Sequence, residues 1–156
     1  MVRIEVPGME RLEIEHLVLD YNGTIAINGI LIEGVMERLG KLSVLLDIHV
    51  ITADTYGSVH EQCHGHNISV HVIGKYHQDR EKLTFLESLK PEHCVAIGNG
   101  KNDLLILSHA ALGFAVIQEE GISTKTLLAS DVVFQSINDA LEALLNPNRL
   151  IATLRN

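Results

Sequence analysis

The sequence predicts an α/β fold built on a doubly wound parallel sheet. The first observation is an apolar run, Leu17 to Leu19, that leads directly into Asp20. Such a run is typical of a strand covered on both faces, as in a parallel sheet. The second observation is that further apolar runs alternate with segments of helical periodicity along the chain. Strands that alternate with helices at this spacing indicate parallel β-α units.

The segments around the first core strand predict two small hairpins. Residues 2–6 and 11–14 alternate in polarity and predict a hairpin ahead of that strand. Asn28-Gly29 lies between two apolar runs, which is a strong hairpin signal. We therefore expect a β-hairpin flap at about residues 24–32, leaning over the carboxyl end of the strand that holds Asp20.

The rest of the chain continues the alternation of strand and helix. Further strands are predicted at residues 48–51, 68–73, 94–97, 112–117 and 132–134. Helices are predicted at residues 33–46, 56–63, 79–89, 104–109, 123–129, 137–145 and 150–154. Because no linker, repeat or low-complexity segment interrupts this order, we expect residues 1–156 to form one domain.

Composition excludes several classes of function. The net charge is −8, which argues against nucleic acid or an anionic membrane as the main partner. No apolar run approaches the roughly 18 residues of a membrane span, and residues 1–11 lack the apolar core of a signal peptide. Two cysteines are too few for a disulfide framework and suit a reducing compartment. We expect a cytoplasmic protein.

Polar residues follow several of the predicted strands. They form four groups along the chain: residues 20–24, Thr52 with Asp54, Lys82, and residues 98–103. The carboxyl ends of parallel strands meet at one edge of such a sheet, where ligands bind in open α/β folds. The sequence therefore predicts a single site that these four groups share.

The residue types in these groups suit phosphoryl transfer. Asp20 would attack phosphorus and form an aspartyl phosphate. Thr52 would donate a hydrogen bond to a phosphoryl oxygen, and Lys82 would offset the developing negative charge. We expect the turn that follows Asp20 to bind the phosphate, together with one residue of the last group: Asn22, Gly23, Thr24 and Asn102. Asp20, Asn99, Asp103 and the backbone carbonyl of Asn22 would hold Mg²⁺, a hard cation that prefers oxygen ligands.

These groups resemble the four ordered motifs of the haloacid dehalogenase (HAD) superfamily. The chain reads DYNGT from Asp20, then TAD from Thr52, then Lys82, then GNGKND from Gly98. The pattern is most similar to DKTGT, TGD, Lys and GDGxND of the P-type ATPases and their small soluble relatives. The resemblance implies a Rossmann-like HAD core. The stretch between Asp20 and Thr52 is too short for a nucleotide-binding insert, so we expect no cap domain and no pump.

Two departures from the family pattern bear on turnover. Asn22 stands where phosphatases of the superfamily carry a second aspartate, the general acid and base, and an amide cannot exchange a proton in the usual range. Asn99 stands in place of the aspartate of GDG, so one negative charge is lost at the metal site. We predict a slow phosphatase; the alternative is a weakened phospho-acceptor or regulatory binding protein.

The absence of a cap bears on substrate and assembly. Capless relatives act on macromolecular phosphates or use a neighbouring subunit as a lid. We therefore expect a homo-oligomer acting on a phosphorylated small molecule, with a phosphoprotein as the alternative.

Simpler interpretations exist for several of these residues. Asp20 can be a turn former, Thr52 a strand-end cap, Asn102 a helix cap and Asp54 a cap on the turn that follows it. Three other cations compete with Lys82 for its role: Lys75, Arg80 and Lys101. His60 and His64, near Cys63 and His66, suggest a zinc cluster, although an exposed polar helix explains them as well. A dinucleotide site is rejected because residues 98–100 follow the fourth strand and the third glycine of that fingerprint is missing.

Overall fold

A computed structural model of the chain describes residues 1–53, 58–63 and 65–156. Its first elements are β1 (Val2–Ile4), β2 (Leu12–Ile14), β3 (His16–Asp20), β4 (Ala26–Ile27), β5 (Ile30–Leu31), α1 (Val35–Leu42), β6 (Asp47–Thr52), α2 (Ser58–Cys63) and β7 (Ile68–Val72). There follow α3 (Gln78–Ser88), a 3₁₀ turn (Pro91–His93), β8 (Cys94–Gly98), a second 3₁₀ turn (Lys101–Asp103) and α4 (Leu104–His109). The last elements are β9 (Leu112–Val116), α5 (Thr124–Ala129), β10 (Val132–Phe134), α6 (Ile137–Leu145) and α7 (Asn148–Leu154).

Six strands form the central sheet, in the order β10-β9-β8-β3-β6-β7. Every neighbouring pair in it is parallel. In β3, Asp20 pairs with Ile51 on one side, and Leu19 pairs with Ile97 on the other. The strand order therefore places Asp20 at the carboxyl edge of a central strand, between β6 and β8. The predicted doubly wound parallel α/β fold is confirmed.

The sheet is covered on both faces by apolar side chains. On one face Leu17 and Leu19 of β3 belong to a cluster that includes Leu39 of α1 and Leu141 of α6. On the other face Val18 packs in a second cluster with residues of α3 and α4. Successive side chains of a strand point to opposite faces, so a strand with no polar position is buried on both sides.

Two hairpins lie outside the central sheet, as predicted. β1 and β2 pair antiparallel, with Ile4 opposite Leu12. β4 and β5 pair antiparallel, with Ile27 opposite Ile30. The second hairpin is the flap, and Asn28 and Gly29 at its turn both have positive φ, as a tight two-residue loop requires. Between Asp20 and Thr52 the chain holds this flap and α1, with no cap inserted.

The helices differ from their predicted bounds chiefly at the first and the last. α1 ends at Leu42 although the periodicity continued to Leu46. The chain must turn there to enter β6, where the Asp47 N–H donates to the Glu15 carbonyl, and Val44 is left exposed. α7 starts earlier than predicted, directly after Pro147, because proline is well tolerated where a helix begins. The predicted helix at residues 56–63 lies partly outside the described residues.

A row of histidines crosses the sheet face that α3 covers. His16, His49 and His71 lie on β3, β6 and β7, and 3.3 Å separates each ring nitrogen pair along the row. Phe85 of α3 packs against two of the rings, with centroid distances of 5.4 Å to His49 and 4.2 Å to His71. The row thus runs across three adjacent strands of the sheet.

None of the helices that the structure describes has the length and apolar character needed to traverse a lipid bilayer.

Candidate active site

The four polar groups predicted from the sequence converge at the carboxyl edge of the sheet. Asp20 ends β3, Thr52 ends β6, and the residue that follows β8 is Asn99. Lys82 lies in the second turn of α3, which packs across this edge. All of these side chains are buried, and Asp103 joins them from the 3₁₀ turn after β8. Asp54 lies outside the described residues.

Lys82 links two carboxylates at the base of the site. Its Nζ donates to Oδ1 of Asp20 and to Oδ1 of Asp103, at 2.6 Å in each case. Lys82 is 1% exposed, Asp103 0% and Asp20 8%, so none of the three charges is well hydrated. The ammonium therefore recognises both carboxylates at once, and Lys82, not Lys75, Arg80 or Lys101, is the cation that contacts Asp20.

One negative charge is left over in this buried group, because one ammonium faces two carboxylates. Burial raises the pKa of Asp20 to about 6, with the Asp103 carboxylate adding to the rise and Lys82 opposing it. Burial opposes protonation of Lys82, but the two carboxylates outweigh that effect and hold the pKa of the ammonium above its usual value. An excess buried anion with oxygen donors around it suits a hard divalent cation.

Asp103 shapes the loop that carries Asn99. Its Oδ2 accepts the backbone N–H groups of Asn99 and Gly100, at 3.0 and 2.9 Å. A Cβ on Gly98 would lie 2.4 Å from the Asp103 carboxylate carbon, so this approach requires glycine. Both oxygens of Asp103 are thus engaged by protein donors, Oδ1 by Lys82 and Oδ2 by the loop.

The oxygens of Asp20 and Asn99 face each other across Thr24. Thr24 Oγ1 lies 3.2 Å from Asp20 Oδ2 and 3.3 Å from Asn99 Oδ1. The Asn99 Nδ2 donates to the Gly121 carbonyl at 3.0 Å, which turns the amide oxygen towards the site. Asp20 Oδ2 and Asn99 Oδ1 are oxygen donors of the kind that Mg²⁺ prefers, so the residues present fit the predicted cation.

The turn after Asp20 is held by its own hydrogen bonds. The Tyr21 carbonyl accepts from the N–H groups of Thr24, Ile25 and Ala26. The Gly23 N–H donates to the Ala26 carbonyl at 2.7 Å, and the φ of Gly23 is +81°. The N–H groups of Gly23 and Thr24 thus already donate to carbonyls within the turn. The predicted contact of these two residues with a phosphate would therefore need other atoms or a rearranged turn.

An open cavity of about 800 Å³ lies above Asp20. Its lining comes from the sheet edge, the flap and the loops around them: Asp20, Asn22, Asn28, Gly29, Thr52, Ala53, Lys75, Gln78, Asn99, Gly100, Asn102 and Glu120. Asn102 donates to Gln78 Oε1 at 2.8 Å, which fixes its side chain at the cavity wall. The predicted residues Asp20, Asn22, Thr52, Asn99 and Asn102 therefore share one cavity.

The flap is tied to the core through its backbone. The Gly29 carbonyl accepts from Tyr21 Oη at 2.9 Å and from Gln62 Nε2 at 3.1 Å. The same Gln62 accepts the Leu31 N–H through Oε1. These bonds hold the flap beside the cavity, as predicted.

Sequence reasoning missed the loop that follows β9. Gln118 donates through Nε2 to the carbonyls of Gly23 and Thr24, and its Oε1 accepts the Ile137 N–H. Glu120 reaches the cavity wall from the same loop. The rule that located the other groups places this loop at the same edge, because β9 neighbours β8, but it does not single out Gln118 or Glu120.

The histidines proposed for zinc lie away from this cavity. His60 is exposed on α2, and His64 lies outside the described residues. Within residues 1–53, 58–63 and 65–156, no three His, Cys, Asp or Glu side chains group closely enough to hold a metal ion by themselves. The predicted Mg²⁺ ligands do not conflict with this finding, because Asn99 and a backbone carbonyl complete that set.

No family model matches the sequence. The uncharacterized protein MJ0073 of Methanocaldococcus jannaschii is 54% identical over 79 residues, which cover 48% of this chain and 85% of that protein. The chain belongs to the same family as MJ0073. The uncharacterized protein MJ0072 of the same organism is 49% identical over 39 residues, which cover 25% of this chain and 89% of that protein. Neither relative brings an activity with it.

Solved structures identify the fold. A phosphatase of deoxy-D-mannose-octulosonate 8-phosphate from Haemophilus influenzae, in a cobalt-bound form, matches with a TM-score of 0.71 at 13% identity, covering 86% of this chain and 88% of that one. The 3-deoxy-D-manno-octulosonate 8-phosphate phosphatase of Moraxella catarrhalis, with magnesium, phosphate and KDO, matches with a TM-score of 0.66 at 21% identity, covering 90% and 92%. The chain has the HAD fold.

The HAD fold is thus confirmed as the sequence predicted it, with a flap and no cap between Asp20 and Thr52. The catalytic domain of the CPx-ATPase CopB-B shares the fold, with a TM-score of 0.59 at 22% identity, and the match covers 74% of this chain and 46% of that one. At such identities the likeness concerns the fold.

Proposed function

We propose that this chain is a phosphatase that depends on a divalent cation and works through an aspartyl phosphate on Asp20. The observation that carries the proposal is the buried Asp20 carboxylate, bonded to Lys82 and open to the cavity on its other side. A carboxylate held in this way is a positioned nucleophile, and a cavity of this size suits a small ligand. The phosphatase neighbours of known structure support a reaction of this class.

Asp20 begins the reaction. One carboxylate oxygen attacks phosphorus, the P–O bond to the substrate's leaving oxygen breaks, and the leaving oxygen takes a proton from water. Lys82 stays bonded to Asp20 and offsets the negative charge that spreads over the phosphoryl oxygens. Thr52 lines the cavity and donates a hydrogen bond to one of these oxygens in our proposal. Asn102, held by Gln78, contacts another.

The second half of the reaction regenerates the free carboxylate of Asp20. Water attacks phosphorus, the bond between phosphorus and the Asp20 oxygen breaks, and inorganic phosphate leaves. Asn22 lines the cavity where a proton acceptor for this water is needed, and its amide cannot take a proton. We therefore propose that the aspartyl phosphate is hydrolysed slowly.

Of the four predicted ligands, Asp20, Asn99 and the backbone carbonyl of Asn22 would hold the cation. Asp103 would fix the loop that presents Asn99 instead of binding the ion, because its two oxygens already accept from Lys82 and from that loop. When bound, Mg²⁺ neutralises the excess negative charge at Asp20 and orients the phosphoryl group. Mg²⁺ is our proposal for the ion because every donor is an oxygen.

The test is the Asp20→Asn variant. Wild type incubated with acetyl phosphate and Mg²⁺ should gain the mass of one phosphoryl group and release phosphate, and the variant should do neither. Asp47→Asn is the matched control, since Asp47 starts the neighbouring strand at the opposite end of the sheet. Phosphate release that survives in Asp20→Asn, or an adduct mapped to another residue, would refute Asp20 as the nucleophile.

Asn22 also favours a second candidate function, a phospho-acceptor that signals while phosphorylated. The Asn22→Asp variant distinguishes the two. If the rest of the site is competent, a restored general base should raise turnover by about 10²-fold or more and shorten the lifetime of the adduct. An adduct that persists unchanged in Asn22→Asp would favour the acceptor.

A further inference from the structure

The loop between β9 and α5 lies against the turn that follows Asp20. Gln118 donates to the Gly23 and Thr24 carbonyls, at 3.0 and 2.8 Å. The Gly121 carbonyl accepts from Asn99 Nδ2, and the Ser123 N–H donates to the Asn99 carbonyl at 2.9 Å. The loop therefore touches both sides of the proposed cation site.

Glu120 brings a carboxylate to this place. Its Oε1 accepts the N–H of Asn28 in the flap at 3.4 Å. A Cβ on Gly23 would lie 2.6 Å from Glu120 Oε2 and 2.4 Å from Asn99 Nδ2. The carboxylate of Glu120 and the amide of Asn99 therefore pack against the same bare Cα of Gly23, and both side chains line the cavity above Asp20.

Position 99 is neutral where the HAD pattern has an aspartate. An aspartate there would place a second negative charge next to Glu120 across Gly23, and two carboxylates at such a distance repel unless a cation lies between them. With asparagine at 99, the amide nitrogen is turned to the loop and the oxygen to Asp20. The loop thus places one carboxylate at the site and orients the neutral Asn99.

We propose that Glu120 supplies the negative charge that residue 99 no longer provides to the divalent cation. The cation is held directly by Asp20, Asn99 and the Asn22 carbonyl. Glu120 is a positioning residue that does not bind the ion directly, and its negative charge attracts the ion across the intervening space and water. This inference rests on the proposed function, since it concerns the same cation. Glu120 is exposed at the cavity rim, so its charge is partly screened by water.

The experiment measures the Mn²⁺ dissociation constant from the electron paramagnetic resonance signal of the free ion. Glu120→Gln keeps an oxygen for the Asn28 N–H and removes the charge. Glu119→Gln is the matched control, with the same charge change at the adjacent, exposed position. Two further proteins are prepared: the single variant Asn99→Asp and the double variant that carries Asn99→Asp together with Glu120→Gln.

The expected results follow from the proposed exchange of charge between the two positions. Glu120→Gln should weaken Mn²⁺ binding about tenfold, within the range of outer residues at metal sites. Glu119→Gln should stay within about twofold of wild type. In the Asn99→Asp background, Glu120→Gln should cost less than about threefold, because aspartate has restored the charge and neighbouring sites couple.

Two results would overturn the inference. One is a Glu120→Gln protein that binds Mn²⁺ as well as the Glu119→Gln protein. The other is the same fold loss in both backgrounds, which would assign Glu120 a role independent of residue 99. If either occurs while phosphate release still requires Asp20, the inference fails alone. If wild type binds no Mn²⁺ and forms no adduct at Asp20, the proposed function fails and this inference with it.

Discussion

Two groups of titratable side chains lie at this sheet, one at its carboxyl edge and one on a face, and the two groups differ in their partners. At the carboxyl edge Lys82 forms ion pairs with Asp20 and with Asp103, at 2.6 Å in each case. On the face beneath α3, His16, His49 and His71 lie as a row of rings, and Phe85 packs on His49 and His71. Burial lowers the pKa of His49 to about 4, with His71 and His16 adding to the decrease and Asp47 opposing it.

The two groups differ in the partners that surround a buried charge. An ammonium between two carboxylates offsets much of the cost of removing each from water. A protonated His49 would lie between two more histidines, and the Asp47 carboxylate makes its 3.7 Å contact with His16. The charged groups at the carboxyl edge therefore have partners of opposite charge, whereas a charge on His49 has none in contact with it among the residues that the structure describes.

The largest expected effect is at Lys82. Lys82→Met would leave Asp20 and Asp103 buried and unpaired, which should lower the free energy of unfolding by about 3–5 kcal/mol and abolish phosphate release. Urea denaturation at pH 7 measures the first and phosphate release the second.

Lys41→Met provides the matched control, because Lys41 pairs with Glu37 on an exposed face of α1. Exposed pairs contribute little, so the urea midpoint of this variant should barely change. Equal losses for the two variants would mean that burial does not distinguish the two ion pairs.

A smaller effect is expected at His49 as the pH falls. The unfolded chain takes up this proton near pH 6.5 and the folded chain near 4, so stability is fully present above about 6.5 and is lost as the pH falls from there to 4. The whole shift would correspond to about 3 kcal/mol, but because the ring is only about half buried we expect about 1 kcal/mol.

His49→Gln should remove this contribution, so the difference in unfolding free energy from wild type should change by that amount between pH 7 and 4.5. Because other groups titrate in both proteins, only the difference is interpreted. His66→Gln, an exposed histidine outside the row, is the control. An identical pH profile for wild type and His49→Gln would contradict the assignment of His49 as a ring buried in its neutral form.

The smallest effect concerns Phe85. Phe85→Leu would admit water beside His49, and its pKa should rise towards 6.5 by about one unit or less. Titration of the ring protons by NMR measures the shift directly. Phe134→Leu, which removes an aromatic contact with Phe114 elsewhere on the sheet, should leave the His49 titration unchanged.

The sequence predicted that the charged residues at the carboxyl edge meet, but it did not predict the histidine row. Asp20, Thr52 and Asn99 each end or follow a strand of apolar residues, so one rule about strand ends places them together. Lys82 could be chosen from its position on a helix. His16, His49 and His71 meet only through the register and order of β3, β6 and β7, which no single segment specifies.

Glu120 and Gln118 illustrate a second limit. They belong to a segment without an apolar period or a motif, and what fixes them is hydrogen bonding to the Gly23, Thr24 and Asn28 backbone. Because these partners are backbone groups, no residue type in the sequence marks the contacts. The end of α1 is similar, since its periodicity continued past Leu42 and the turn into β6 overrode it.

The way the flap is held has a consequence for how this scaffold can diversify. Tyr21 and Gln62 donate hydrogen bonds to the carbonyl of Gly29, and Gln62 also accepts the N–H of Leu31. Every residue except proline can supply both of these backbone groups. Asn28 is a flap side chain that lines the cavity, whereas Ile30 is 72% exposed and is not part of the cavity lining. A substitution at Asn28 can therefore change the wall of the cavity while the anchoring bonds remain.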